Sequence, residues 1–320
     1  MTISDHITEF HGLPVFNLPD PGAKDASKPL AKAAFRSPAG VAWRVAIEPY
    51  DSKETWPEAF ARFLAATDTT TVSALVVGPW GESDDTSATV IDAIVEARDR
   101  LPALRAVFLG DIVYEENEIS WIHQSDVTVL LKAFPDLEEI VVRGSEMLSF
   151  PPLTHKGLRA LTVQTGGLDG EVVRGIAASD LPALESLELW LGVDNYGGNT
   201  TVDDLELVFT GVRLPRLRHL ALCNSEIQDE IAVAVASAPV VARLTTLGLA
   251  MGTLGDEGAE ALLAGQPLTH LERLDLHHNF LSATMRERLL AALEPAGVTV
   301  DADKRDAEED NGWRYTAVAE

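Results

Sequence analysis

The single cysteine of the 320-residue chain, Cys223, lies four residues after His219, and two strand patterns further on comes His277. In contact, these would be a thiol nucleophile and its base, which must approach within about 3 Å or communicate through one water. The spacing does not allow it. Four residues of extended chain put His219 about 13 Å from Cys223, and two strands sideways put His277 about 10 Å away. Cys223 therefore reads as a small apolar side chain.

The other chemistry-bearing groups fare no better. In "LHHNF" the neighbours His277 and His278 point to opposite faces of a strand, so they cannot share an ion, and one cysteine cannot build a multi-cysteine zinc site. "VDNYGGNTTVDD" offers Asp194, Asn195 and Asn199 without the ligand spacing of a calcium loop. "TGGLDG" and "YGGN" have glycine pairs but neither G-x-G-x-x-G nor a phosphate-loop lysine. His6, His11 and Glu48 form no named constellation, although an enzyme site in the amino-terminal part stands as an alternative. No catalytic, cofactor-binding or metal residue is assigned, and the chain is expected not to be an enzyme.

The elements that position these residues repeat. "LPALESLELWLG" returns as "LPALRAVFLGD", "FPDLEEIVVRG", "LPRLRHLALCN" and "LTHLERLDLHHN", with weaker copies in "GLRALTVQTG" and "ARLTTLGLAMG". Their first aligned apolar positions are Leu104, Leu137, Leu158, Leu184, Leu217, Leu244 and Leu271, giving gaps of 33, 21, 26, 33, 27 and 27. "VSALVVG" from Val72 is an earlier copy, and "VTVDAD" from Val298 reads as a closing strand.

Between the strands lie helical patterns such as "SATVIDAIVEARDR", "DGEVVRGIAASD" and "SATMRERLLAAL", several opening on Ser, Thr or Asp, which cap exposed helix amides. Leu137 to Leu158 is too short for a full helix, and "SEMLSFPPLTHKG" with paired prolines predicts irregular chain. One strand and one helix cannot bury each other's apolar faces alone, so successive turns must stack.

These repeats resemble leucine-rich-repeat proteins of the ribonuclease-inhibitor-like type over residues 72–303, with Asn279 alone completing the L-x-x-L-x-L-x-x-N ending. The resemblance implies an α/β fold: a right-handed solenoid, or horseshoe, of about eight strand-helix turns with parallel strands on its concave face. Residues 1–71 are expected to form a capping α/β unit, with a strand in "VAWRVAIEPY", a helix in "TWPEAFARFLAATD" and an exposed loop in "PDPGAKDASKPLAK". Residues 304–320 read as an acidic linker and an aromatic tail. That tail, together with the repeats and "VAWRVAIE", resembles a bacterial leucine-rich-repeat family encoded near radical-SAM and ATP-grasp-like proteins, which implies possible modification-pathway enzymes as partners.

With 25 Lys and Arg against 50 Asp and Glu, the formal charge of −25 opposes binding to nucleic acid or anionic membrane and favours a basic partner. The amino terminus has no basic leader and no window has about 18 apolar residues, so a soluble cytoplasmic protein is expected.

Alternate strand residues should face the hollow. On that face fall Glu139, Arg143, Glu188, Trp190, His219, Asp275 and His277, while loops leaving the strands carry Trp80, Tyr114, Trp121 and Tyr196. Together they are the expected binding surface for a protein or peptide on a non-enzymatic scaffold. Trp313, Arg314 and Tyr315 offer the alternative of a tail that docks or is modified.

Overall fold

The computed structural model describes residues 3–22, 29–50, 52–309 and 311–319. The described residues divide into two compact units, one over 3–149 and one from Phe150 onward. Within each unit the strands lie side by side in chain order.

The amino-terminal unit holds strands β1 (Glu9–Phe10), β2 (Leu13–Asn17), β3 (Ala42–Val45), β4 (Ala74–Val77), β5 (Ala106–Leu109) and β6 (Glu139–Arg143), with helices α1 (Pro29–Arg36), α2 (Trp56–Ala66), α3 (Ala88–Glu96) and α4 (Thr128–Ala133). β1 and β2 form an antiparallel hairpin, and β2 to β6 pair parallel. α2 starts where Thr55 and Glu58 cap each other's backbone amides in a capping box. It then buries Trp56, Phe60 and Phe63, with the Phe63 ring 5.2 Å from that of Trp43 on β3.

Two sequence expectations are corrected in this unit. The first strand face was to lie open, yet Ala74, Val76, Ala106, Phe108 and Val141 are buried. Phe10, with Ile7, Leu13 and Val15, packs over them, because a row of small and apolar side chains facing water gains by being covered. The loop expected over "PDPGAKDASKPLAK" gives way to α1 from Pro29, where proline suits a first helical turn. Residues 23–28 of that segment lie outside the described residues.

The carboxy-terminal unit holds β7 (Ala160–Gln164), β8 (Ser186–Gly192), β9 (His219–Ser225), β10 (Thr246–Gly248), β11 (Arg273–Asp275) and β12 (Thr299–Asp301), all parallel. Helices α5 (Gly170–Ala178), α6 (Glu206–Thr210), α7 (Gln228–Val235), α8 (Asp256–Ala264) and α9 (Ala283–Leu293) connect them. Here the alternation is clean. Leu187, Leu189 and Leu191 of β8 are buried, while Ser186, Glu188 and Trp190 are partly exposed. Each buried leucine contributes about 2 kcal/mol.

The chain turns sharply at the ends of β9 to β12. Asn224, Met251, His278 and Arg305 all have positive φ, at 53°, 66°, 49° and 51°, spaced 27 residues apart. Backbone bonds follow the same period: Asn224 N–H donates to Ala250, Met251 to His277, and His278 to Asp303. Asn279 closes its turn by accepting from Leu254 N–H and donating to the carbonyls of Leu249 and Leu276. This strand-helix repetition is a leucine-rich-repeat-like fold.

Candidate functional site

Strand register in the carboxy-terminal unit builds a row across the open face: Thr162, Glu188, Ala221, Gly248, Asp275 and Asp301. Its floor is closely packed, since a Cβ on Gly248 would stand 3.1 Å from that of Ala221. Glu188 and Asp275 flank this floor, three strand spacings or about 14 Å apart. Trp190 stands beside it, half-buried, its Nε1–H donating to Glu188 Oε1 at 2.7 Å.

The electrostatics follow. Burial, aided by the charge of Asp275, pushes the Glu188 carboxyl up from its ordinary range despite the Trp190 hydrogen bond. Burial also pushes up Asp275, but hydrogen bonds from His277 and Arg273 outweigh it and hold this carboxyl at about 2. Burial first, then the Glu188 charge, keeps the Cys223 thiol protonated. Glu188 is thus a carboxyl on a low-dielectric floor, where pairing with a cation gains more than it would in open solvent.

Asp275, His277 and Asp301 offer ligand atoms within 4.8 Å of one another. Protein groups already engage them: His277 Nδ1 lies 2.7 Å from Asp275, and Arg273 lies 2.8 Å from Asp275 and 3.5 Å from Asp301. His278 is held apart from His277, with its Nδ1 2.8 Å from Asp306. The loop residue Asn199 accepts a hydrogen bond from Gly170 N–H at the start of α5, and the glycines of "TGGLDG" have a packing role. Gly192, at φ 71°, comes so close to Gly166 that any side chain would meet its carbonyl oxygen.

The remaining expected site residues separate by unit. In the carboxy-terminal unit His219 is exposed and Tyr196 half-buried, while Trp313 and Tyr315 are 70% and 57% exposed. Arg314 pairs with Glu309 at 2.9 Å and lies over the Phe280 ring. In the amino-terminal unit Tyr114 and Trp121 are exposed, whereas Trp80 is buried with its Nε1–H donating to the carbonyl of Asp85. Glu139 pairs with His11 at 2.8 Å, and Arg143 is buried, its Nη1 3.7 Å from Asp111.

Arg143 thereby joins a cluster that sequence reasoning passed over. Asp111 receives Arg44 Nε–H at 2.8 Å and lies 3.4 Å from His6 Nδ1. His6 Nε2 lies 3.3 Å from Glu116. The hydrogen bonds to Asp111 and then Glu116, against desolvation, raise the His6 pKa to about 9. Burial raises the Asp111 carboxyl, but the His6 hydrogen bond and the two arginines bring it below its ordinary value. One signal was available: Arg44 is a charge inside the apolar run "VAWRVAIE". Glu48 belongs to a different place, a cleft of about 510 Å³ lined also by Tyr50, Trp56, Trp80 and Glu82.

A crystallised protein from Bacteroides fragilis, a structural-genomics target, is 30% identical to this chain with a TM-score of 0.75, covering 81% of this chain and 72% of its own. The chain belongs to that protein's family. A crystallised internalin from Listeria monocytogenes covers 83% of this chain and 86% of its own at 15% identity, with a TM-score of 0.27, too low an overlap for comparing sites. No protein-family model and no curated protein matches the chain. Among the described residues no helix is long and apolar enough to cross a membrane.

Proposed function

We propose that this chain is a non-enzymatic binding scaffold and that the Glu188 to Asp275 row receives a basic segment of a protein or peptide. The supporting observation is the row itself: carboxylates at both sides of a floor reduced to Ala221 and Gly248, with Trp190 fixed alongside. A lysine or arginine on an extended segment would lower the cost of the half-buried Glu188 charge and lay its aliphatic stem against the indole. Strands paired on both sides hold these groups in place before binding, so little ordering entropy opposes association. Small floor residues also leave room for a main chain to approach.

An array of peptides scanned for lysine and arginine content, probed with the full chain, tests this reading. Binding should require a basic residue, weaken as salt rises, and fall at least tenfold with Glu188→Lys, on the scale of charge-pair losses at interfaces. Equal binding by the Glu188→Lys chain, or preference for acidic peptides, would overturn it.

A further inference from the structure

The carboxy-terminal tail is seated on the strand exits of its own unit by three residues. Asn224 Nδ2–H donates to the carbonyl of Val318 at 2.5 Å, and Val318 N–H donates back to Asn224 Oδ1 at 2.9 Å. Ala317 N–H donates to the carbonyl of Met251 at 2.8 Å. Thr316, Ala317 and Val318 are 8%, 2% and 2% exposed, against 57% for Tyr315.

This is recognition of backbone. The Asn224 amide reads one residue's N–H and C=O as a neighbouring strand would, and it reads no side chain. Asn224 itself is fully buried, and its third contact is to the carbonyl of Thr165. Without an extended chain beside it, its Oδ1 would be left without that partner, a costly state for a buried amide. The side chains admitted are small, as the burial of Thr316 and Ala317 shows.

The tail before Thr316 is held through side chains instead, Arg314 pairing with Glu309 and lying over Phe280. Trp313 stands in solvent, and a cleft of about 760 Å³, lined by Phe280, Ser282, Arg286, Lys304, Glu309 and Arg314, lies beside the tail. We propose that the Asn224 and Met251 corner is a receiving site for an extended peptide with small side chains, whose resident ligand is the chain's own Thr316 to Val318. Lifting that tail opens the site to a second such peptide. The site is distinct from the Glu188 to Asp275 row and does not depend on what binds there.

The test uses the full chain carrying Ala317→Asp, which puts a charge where the tail is buried while leaving the repeats untouched. A fluorescent peptide of residues 313–319, WRYTAVA, serves as the probe. A short tether gives the resident tail an effective concentration of about millimolar, so the wild-type chain should bind the probe at least tenfold more weakly than the variant. Trypsin should cut at Arg314 faster in the variant, and a matching thermal melt should show that the repeats remain folded. A probe with aspartate at its alanine-317 position should not bind the variant. Equal affinity for wild type and variant, failure of the variant to bind, or unchanged protection of Arg314 would each overturn the proposal.

Discussion

Arg44 Nε–H donates to Asp111 Oδ2 across 2.8 Å in a place closed to water, with Asp111 0% and Arg44 7% exposed. Arg143 approaches the same carboxylate from β6, and Ile7 N–H donates to its other oxygen. One carboxylate therefore ties together β3, the exit of β5, β6 and the segment before β1.

Removing that carboxylate strands two buried guanidinium groups. Asp111→Asn should destabilise the amino-terminal unit by about 3 to 5 kcal/mol, the usual cost of breaking a buried ion pair from one side. Urea denaturation followed by the fluorescence of Trp43 and Trp56, both wholly buried in this unit, reads the change. A loss below about 1 kcal/mol would show that the cluster is not what holds these elements.

His6 gives the same cluster a pH dependence of known sign. Its pKa rises from 6.5 to about 9 on folding, so its contribution is complete below pH 6.5 and is lost as pH climbs through 9. With a third of the side chain exposed, solvent screening reduces that contribution to about 1 to 2 kcal/mol. Wild-type stability should decline between pH 6.5 and 9.5, and His6→Gln should flatten the decline. Parallel pH curves for the two chains would assign the dependence elsewhere.

Cys223 should be silent toward thiol reagents while the fold is intact. It is buried, and burial beside Glu188 opposes formation of the reactive thiolate. Its labelling by a disulfide reagent should follow global unfolding in urea. Labelling at zero denaturant within seconds would mean that the floor of the acidic row opens readily.

Asn279 satisfies three buried backbone groups with one side chain, two carbonyls and an N–H. Asn279→Ala should therefore cost about 3 kcal/mol, near the upper end for an unsatisfied buried group. Circular dichroism melts of the variant would measure it, and a melting point unchanged from wild type would show that water replaces the amide.

The repeat was legible because leucine spacing reports burial directly: Leu187, Leu189 and Leu191 in the sequence become an alternating buried row in β8. The polar row was legible for the same reason, through Glu188 between Leu187 and Leu189 and Asp275 between Leu274 and Leu276. What escaped sequence reasoning depends on contacts distant along the chain. Phe10 covers Ala74 and Phe108 from roughly a hundred residues away at most, and Val318 finds Asn224 from 94 positions away. No local period encodes such a meeting. Trp80 shows the converse limit: it sits in a glycine-rich loop that reads as surface, yet the carbonyl of Asp85 five residues on draws its indole N–H inward.

The 27-residue recurrence of the left-handed corners at Asn224, Met251, His278 and Arg305 means that each turn offers nearly the same backbone shape to a passing chain. Only the first carries a side-chain amide. A tail displaced by one turn would meet a thioether or an imidazole where it needs a paired donor and acceptor. Asn224 therefore acts as an address: it fixes the tail's register along otherwise equivalent sites, and the same amide moved to position 251 would relocate the docked end by one strand.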